Sequence, residues 1–356
     1  MRIVRHALHP YRLPLREPVT LGRVRIEERE GVLLRLEAEG GAVGWGDAAP
    51  LPGFSREFLF DVHLELDAFG GALCGRALDP ADVTDPHGRL HAALDKARLK
   101  PSARYALDLA LWDLAAQATG RSLAEALCPE PVAVLPLNAL VTEPPPLALV
   151  EAARLAEAGY GTLKLKVGRG ALREEVALVR GVRERVGEGV ALRLDANRAW
   201  TAEEGRLFAA EVAGLGVAYV EEPLRDAEGL LPLWRETRLP VALDETLAEP
   251  GGAEALGEWV AAAVLKPTLL GGVSAVLRWA ERARAAGVPA VLSAAFESGV
   301  GMRGVAALAA ATGGEAAGLD PYRRLAADVL AEPLPLDRPT VDVQALLTRP
   351  LEVRLR

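Results

Sequence analysis

Histidine, lysine and cysteine are scarce in this chain, and their scarcity narrows its chemistry before any motif is considered. The five histidines (His6, His9, His63, His87 and His91) all lie in the first quarter of the 356 residues. No histidine base or ligand can come from beyond residue 91. That removes most zinc sites and any Ser-His-Asp triad confined to the C-terminal region. Two cysteines, Cys74 and Cys128, supply neither a disulfide framework nor a metal cluster, and both read as core or surface residues rather than nucleophiles. No apolar run approaches the roughly 20 residues of a membrane span. The first six residues pass straight into strand-like alternation without a signal-peptide core, so a cytoplasmic address is expected. A net charge of −8 lacks the basic excess of a nucleic-acid or anionic-membrane binder, and neither partner is expected.

What is present supports a large folded core, since half of the residues are apolar and a quarter charged. Up to about residue 40 the chain alternates apolar and polar, with Gly31 and Gly40-Gly41 as turn signals, which predicts antiparallel strands. Helical patterning follows to Gly120, including a helix that starts at Pro101-Ser102. After Pro131 short apolar runs alternate with Ala/Leu/Arg helices. Strands are expected at 132–139, 163–167, 191–195, 218–221, 241–243, 262–266, 290–293 and 316–319. Eight strands separated by helices predict a parallel (β/α) barrel. A doubly wound sheet would offer a Gly-rich turn after its first strand, and Asn138-Ala139-Leu140-Val141 is not one. The fold expected is α/β: an N-terminal α+β capping domain (1–128), a (β/α) barrel (129–324), and a C-terminal segment (325–356) returning to the cap.

In such barrels reactive groups sit at the C-terminal ends of strands. Here those ends read Lys164-Leu165-Lys166, Asp195-Ala196-Asn197, Glu221-Glu222-Pro223, Asp244-Glu245, Lys266-Pro267 and Ser293. The chain has only five lysines, arginine supplying 36 of its 41 basic residues, and three of the five fall on strand ends. One of its two asparagines does so too. Asp195, Glu221 and Asp244, on three successive strands, can converge above the barrel, where unpaired carboxylates would resist ionisation. A hard divalent cation resolves that conflict, and all-oxygen ligation suits Mg²⁺, with Mn²⁺ an alternative. Lys164 and Lys166 are two apart on one strand and point the same way. A small carboxylate substrate held by the cation would lose its α-proton to a lysine, and the cation and the opposing lysine would hold the resulting enediolate. Taken singly each motif is ordinary: Asp-Ala-Asn can cap a helix, and two outward lysines suit an edge strand. Gly271-Gly272 could cradle an anion at a helix N-terminus or simply form a tight turn.

The ordered set Lys-x-Lys, Asp-x-Asn, Glu-Glu-Pro, Asp-Glu and Lys-Pro resembles the enolase superfamily, in its muconate-lactonising subgroup. The stretches 44–55 (Gly44-Trp45-Gly46-Asp47-Ala48-Ala49-Pro50 onward) and 192–201 (Leu192-Arg193-Leu194-Asp195-Ala196-Asn197 onward) are similar to o-succinylbenzoate synthases. So are 264–269, Glu297-Ser298-Gly299 and Gly318-Leu319-Asp320. The resemblance implies an enolase-type fold with metal ligation by Asp195, Glu221 and Asp244. It also implies dehydration of 2-succinyl-6-hydroxy-2,4-cyclohexadiene-1-carboxylate, in menaquinone biosynthesis. Lys166 would take the α-proton, Lys266 would stabilise charge on the opposite face, and Lys164 would meet the substrate carboxylate. Arg193, Asn197 and Ser293 would contact substrate, and 22–28 would form a loop shaping the pocket. The chain departs from the pattern at Ser293-Ala294-Ala295-Phe296, where many such enzymes carry three serines.

Three rivals remain. A racemase or epimerase of N-acylated amino acids would use the same site with Lys166 and Lys266 as opposed bases. Dipeptide epimerases carry Asp-x-Asp after strand eight, whereas Asp320 here is followed by Pro321 and Tyr322. A non-catalytic barrel would use the same acids and lysines as a structural ion-pair network. The sequence is silent on oligomeric state.

Overall fold

The computed structural model describes residues 1–21 and 24–354. The alternating N-terminal segment forms a long antiparallel pair, β1 (Ile3–Leu21) and β2 (Val24–Ala38), to which β3 (Val43–Ala48) adds as a third strand. Gly40 and Gly41 make the β2–β3 turn at φ +94° and +90°, a region open to glycine. Gly31 is not the turn expected of it. It sits inside β2 opposite Tyr11, and a Cβ there would lie 2.4 Å from the Tyr11 ring. Residue 31 is therefore glycine for space, which lets the Tyr11 hydroxyl reach Asp47 at 2.8 Å. Of the loop expected at 22–28, Gly22 and Arg23 lie outside the described residues, and from Val24 the chain is strand. The helix Pro101–Ala118 packs on β3 and is buried over most of its length.

The barrel strands are β5 (Ala139–Val141), β6 (Thr162–Lys166), β7 (Ala191–Asp195), β8 (Val217–Glu221), β9 (Val241–Leu243), β10 (Val260–Leu265) and β11 (Ala290–Leu292). They form one seven-stranded parallel sheet in chain order. The run 316–319 is an eighth member held by single bridges, Ala317 to Leu137 and Gly318 to Ser293. The Ala317 amide donates to the Pro136 carbonyl at 2.9 Å, and that of Gly318 to the Leu292 carbonyl at 2.8 Å, so the run joins the two sheet edges into a ring. The first expected strand, 132–139, divides in two. Its front half is β4 (Val134–Pro136), which pairs antiparallel with β12 (Thr340–Asp342) in the C-terminal segment; only from Leu137 does the chain enter the barrel.

Cap and barrel are tied by buried polar bonds. Arg29, 1% exposed, donates to the carbonyls of Pro50 (3.0 Å) and Ala49 (2.7 Å) in the cap. It also reaches Phe296 (3.3 Å) and Ala295 (3.5 Å) in the loop after β11. Asp47 accepts from the Ser298 amide and hydroxyl at 2.9 and 2.8 Å. At Gly271-Gly272 the N-terminus of the helix Val273–Ala285 is met by a carboxylate of the cap. Asp108 of the cap accepts from the Ser274 amide at 3.0 Å, and a Cβ on Gly272 would stand 2.8 Å from the same carboxylate. The glycine makes room for a capping aspartate. No helix among the described residues is long and apolar enough to cross a membrane.

Candidate active site

The barrel interior is built in two layers by the two-residue period of its strands. Lys166, Asp195, Glu221, Asp244, Lys266 and Ser293 occupy the upper layer at the C-terminal ends. Two residues earlier on each strand lie Lys164, Arg193, Tyr219, Ala242, Val264 and Val291, and the last four pack as a small apolar cluster inside the barrel. In register Lys166 faces Asp195 and Asp195 faces Glu221, so the reactive types arrive at one height on adjacent strands.

The carboxylates are almost wholly enclosed: Glu221 is 0%, Asp195 2% and Asp244 5% exposed. Lysine ammonium groups stand between them. Lys164 Nζ donates to both Glu221 oxygens (2.8 and 2.7 Å) and lies 2.9 Å from Asp195. Lys166 Nζ donates to Asp195 and to Asn197 Oδ1, each at 2.6 Å, and Lys266 Nζ donates to Asp244. Among the described residues no three His, Cys, Asp or Glu side chains come close enough together to hold a metal as they stand.

The three lysines differ in electrostatics. Burial, helped by the adjacent Lys164 charge, holds Lys166 below the ordinary lysine value against the pull of Asp195. Burial also acts to lower Lys164 and Lys266, but their carboxylates outweigh it and keep both ammonium groups firmly charged. Burial first, and then Asp195 beside it, push Glu221 up to about 8; burial pushes Asp244 up to about 6 despite Lys266. Asp195 goes the other way: burial acts to raise it, but the Lys164 and Lys166 ammonium groups outweigh burial and hold it well below the usual carboxylate range. Only Glu221 and Asp244 therefore stand at the edge of neutralisation.

Glu222 has a different task from its neighbour. It accepts from the amides of Asp244 (2.9 Å) and Thr246 (2.8 Å), the Thr246 hydroxyl (2.8 Å) and Arg198 Nε (3.1 Å). Its carboxylate is saturated and positions Asp244 from behind. Glu222, Asn197, Arg198 and Phe296 all adopt positive φ (41°, 43°, 61° and 61°), so the chain leaves three strand ends through sparsely populated backbone. Such conformations cost free energy and concentrate where function holds them in place.

A cavity of about 610 Å³ opens over this layer. Lys164, Lys166, Asp195, Asn197, Lys266 and Ser293 line it, and Glu221 and Asp244 lie beneath. The cap contributes Leu51, Phe54 and the end of β1; the Lys266 ammonium sits 5.7 Å from the centre of the Phe54 ring. Arg193 does not reach the cavity. It belongs to the lower layer, where its guanidinium donates to the Ala316 carbonyl (2.5 Å) and stacks 5.2 Å from the Tyr219 ring centre. Reading Arg193 as a substrate contact places it one layer too high. Phe54, Thr142, Arg169 and Arg324 line the cavity and were not singled out from the sequence. Phe54, Arg169 and Arg324 come from loops and from the cap, so no strand-end rule marks them; Thr142 follows β5 directly and was passed over because that strand was expected to end at residue 139.

Residues 148–347 match the family model described as Enolase C-terminal domain-like, and residues 3–77 match that described as MenC, N-terminal domain. The chain belongs to the enolase superfamily. Several superfamily members resemble it to a similar degree. The o-succinylbenzoate synthase of Escherichia coli (O1:K1 / APEC) is 32% identical over 349 residues, covering 95% of this chain and 97% of that one. The hydrophobic dipeptide epimerase of Enterococcus faecalis is 28% identical over 317 residues, covering 87% and 88%. Protein PHYLLO, chloroplastic, of Arabidopsis thaliana is 34% identical over 303 residues; the match takes in 77% of this chain but spans only 17% of that much longer protein. The dipeptide epimerase from Enterococcus faecalis, solved with Mg and the dipeptide L-Leu-L-Tyr, superposes with a TM-score of 0.86 at 26% identity, covering 96% of this chain and 97% of that one. The enolase-type fold, a capping domain on a parallel barrel, is therefore as expected.

Proposed function

We propose that this enolase-superfamily enzyme is a Mg²⁺-dependent o-succinylbenzoate synthase, dehydrating 2-succinyl-6-hydroxy-2,4-cyclohexadiene-1-carboxylate in menaquinone biosynthesis. The observation that carries the choice is the capping domain, whose residues 3–77 match the MenC N-terminal model. The synthase relatives, aligned over nearly their whole length, add to it.

The donor set suits a hard divalent cation. Three enclosed carboxylates on successive strands exceed what neutral partners could satisfy, and the Lys164 ammonium bridging Asp195 and Glu221 marks where positive charge is wanted. The Glu245 Oε2 atom beside them is buried with no hydrogen-bond partner. Asp195, Glu221 and Asp244 would hold the ion, which when bound supplies positive charge for the substrate carboxylate. Lys166, the lysine whose charge is least supported, takes the α-proton at Nζ and passes it to the departing hydroxyl, which leaves as water. Lys266 stays an ammonium and faces the charge that develops, and Lys164 orients the carboxylate. Asn197 holds Lys166 in place. Leu51 and Phe54 of the cap give the cavity an apolar wall.

A second reading on the same site is racemisation or epimerisation of N-succinyl or other N-acyl amino acids, supported by the epimerase relatives. It needs a second base, and Lys266 is bound to Asp244 as a charged group. A structural ion-pair network without catalysis would give no role to the cavity of about 610 Å³ that Lys164, Lys166, Asp195 and Lys266 line. The test is to follow the ultraviolet absorbance of the cyclohexadiene carboxylate with wild type and Mg²⁺, with chelator, and with Lys166→Ala. The proposal expects rapid loss that needs both metal and Lys166; no turnover by the wild type would refute it.

A further inference from the structure

Two arginines at the cavity mouth have no part in the proton transfer. Arg169 lies three residues beyond Lys166 in the loop after β6, and Arg324 ends the short turn Asp320–Arg324 that follows the eighth barrel segment. In the order of the ring, that segment, β5 and β6 are neighbours, across the barrel from β8 and β9, which carry Glu221 and Asp244. The cavity therefore has one end where the acids are paired with lysines and another that carries two arginines, with Asp320 also in its wall.

Both arginines converge on Thr142 at the end of β5. Arg324 Nη2 donates to its hydroxyl at 2.6 Å, and Arg169 Nη1 to its carbonyl at 3.3 Å. Glu175 fixes the Arg169 loop by accepting from the amides of Arg169 (2.5 Å) and Gly170 (2.9 Å). Neither guanidinium has a carboxylate within 4.0 Å among the described residues. The acid nearest in sequence to Arg324, Asp320, is paired at 3.4 Å with Arg323, and Glu143 accepts from the Thr142 amide at 2.9 Å. Two like charges brought to one threonine in a concave site leave most of their donors without an anionic acceptor.

We propose that Arg169 and Arg324 form a second anion subsite. It takes the distal carboxylate of a succinyl-bearing substrate while the reacting carboxylate lies at the Asp195–Asp244 end. The subsite rests on the reading of this cavity as the substrate site, and it sharpens that reading. The cyclohexadiene substrate and N-succinyl amino acids both carry a distal carboxylate. A dipeptide would present its ammonium group to two guanidinium charges, which disfavours it.

The test uses binding, so that it does not depend on turnover. Affinities of the full-length protein with Mg²⁺ are measured by calorimetry for o-succinylbenzoate and for 2-butanoylbenzoate, which carries a methyl in place of the distal carboxylate. N-succinylphenylalanine and N-butanoylphenylalanine form a second pair. Wild type is expected to prefer the dianion of at least one pair by about tenfold or more. Arg324→Gln and Arg169→Gln should remove most of that preference while leaving the monoanion's affinity unchanged, and Arg324→Lys should restore part of it. A dianion preference near one, equal loss for both members of a pair, or no binding of any of the four ligands would overturn the subsite. If the preference holds but the cyclohexadiene is not turned over, the subsite stands and the synthase assignment falls.

Discussion

Replacing Arg29 by methionine should destabilise the protein and loosen the join between cap and barrel. The side chain is 1% exposed and donates to four carbonyls, two in the cap and two in the loop after β11 that supplies Ala294 and Phe296 to the cavity. The bonds at 2.7 and 3.0 Å are full-strength, and those at 3.3 and 3.5 Å are long. Methionine retains much of the stem but leaves two buried carbonyls unpaired, at about 1–3 kcal/mol each, and withdraws positive charge from buried Asp47 and Glu297. Part of this is offset because a buried guanidinium no longer has to be desolvated. A net loss of about 3–5 kcal/mol is expected, which for a chain of this size lowers the melting temperature by roughly 4–7 °C. Differential scanning calorimetry of both proteins, without metal, gives the number. A melting temperature within 2 °C of wild type would refute the reasoning, since it would mean that desolvation already cancels the four bonds. The Michaelis constant should rise as well, because the displaced loop lines the cavity.

Three further outcomes follow from the same geometry. Mg²⁺ at about a hundredfold over its dissociation constant should stabilise wild type by about 2.7 kcal/mol; Glu221→Gln and Asp195→Asn should lose that thermal shift, and a retained shift would remove them as ligands. Asp108→Ala uncaps the helix Val273–Ala285 and leaves buried Arg104 with Asp95 as its remaining carboxylate, at an expected cost of about 2–4 kcal/mol read by urea unfolding; a change below 1 kcal/mol would contradict it. Gly46→Ala places a Cβ 1.8 Å from the Ala106 carbonyl, so β3 must separate from the helix Pro101–Ala118, and soluble yield or melting temperature should fall sharply.

The inner barrel strands were legible because each is a short apolar run that ends in a charged or polar residue, and six of them, 163–167 through 290–293, lie within two residues of where they were expected. Two failures have physical causes. Residues 134–136 read as the first barrel strand because they are apolar, yet their partner is Thr340–Asp342, two hundred residues away, and no local pattern reports a long-range antiparallel pair. Gly31 read as a turn because glycine usually relieves φ, whereas here it relieves volume beside Tyr11. In the site, strand periodicity brought Lys164, Lys166, Asp195, Glu221, Asp244, Lys266 and Ser293 together, since side-chain direction alternates predictably. The same periodicity puts Arg193, two before Asp195, a layer deeper beside Lys164, but it does not tell that Lys164 lines the cavity while Arg193 turns to the Ala316 carbonyl. Phe54, Arg169 and Arg324 were beyond this reasoning because loops carry no period.

The central claim is that a Lys166-centred site acts on a succinyl-bearing carboxylate by dehydration rather than on a dipeptide by epimerisation. One preparation of the wild-type protein with Mg²⁺ should be assayed for kcat/KM on the cyclohexadiene carboxylate, on N-succinylphenylalanine and on L-Leu-L-Tyr. The account predicts that dehydration is fastest, that any racemisation of the succinyl amino acid is slower, and that the dipeptide is turned over least. Epimerisation of the dipeptide at a rate above dehydration would contradict it.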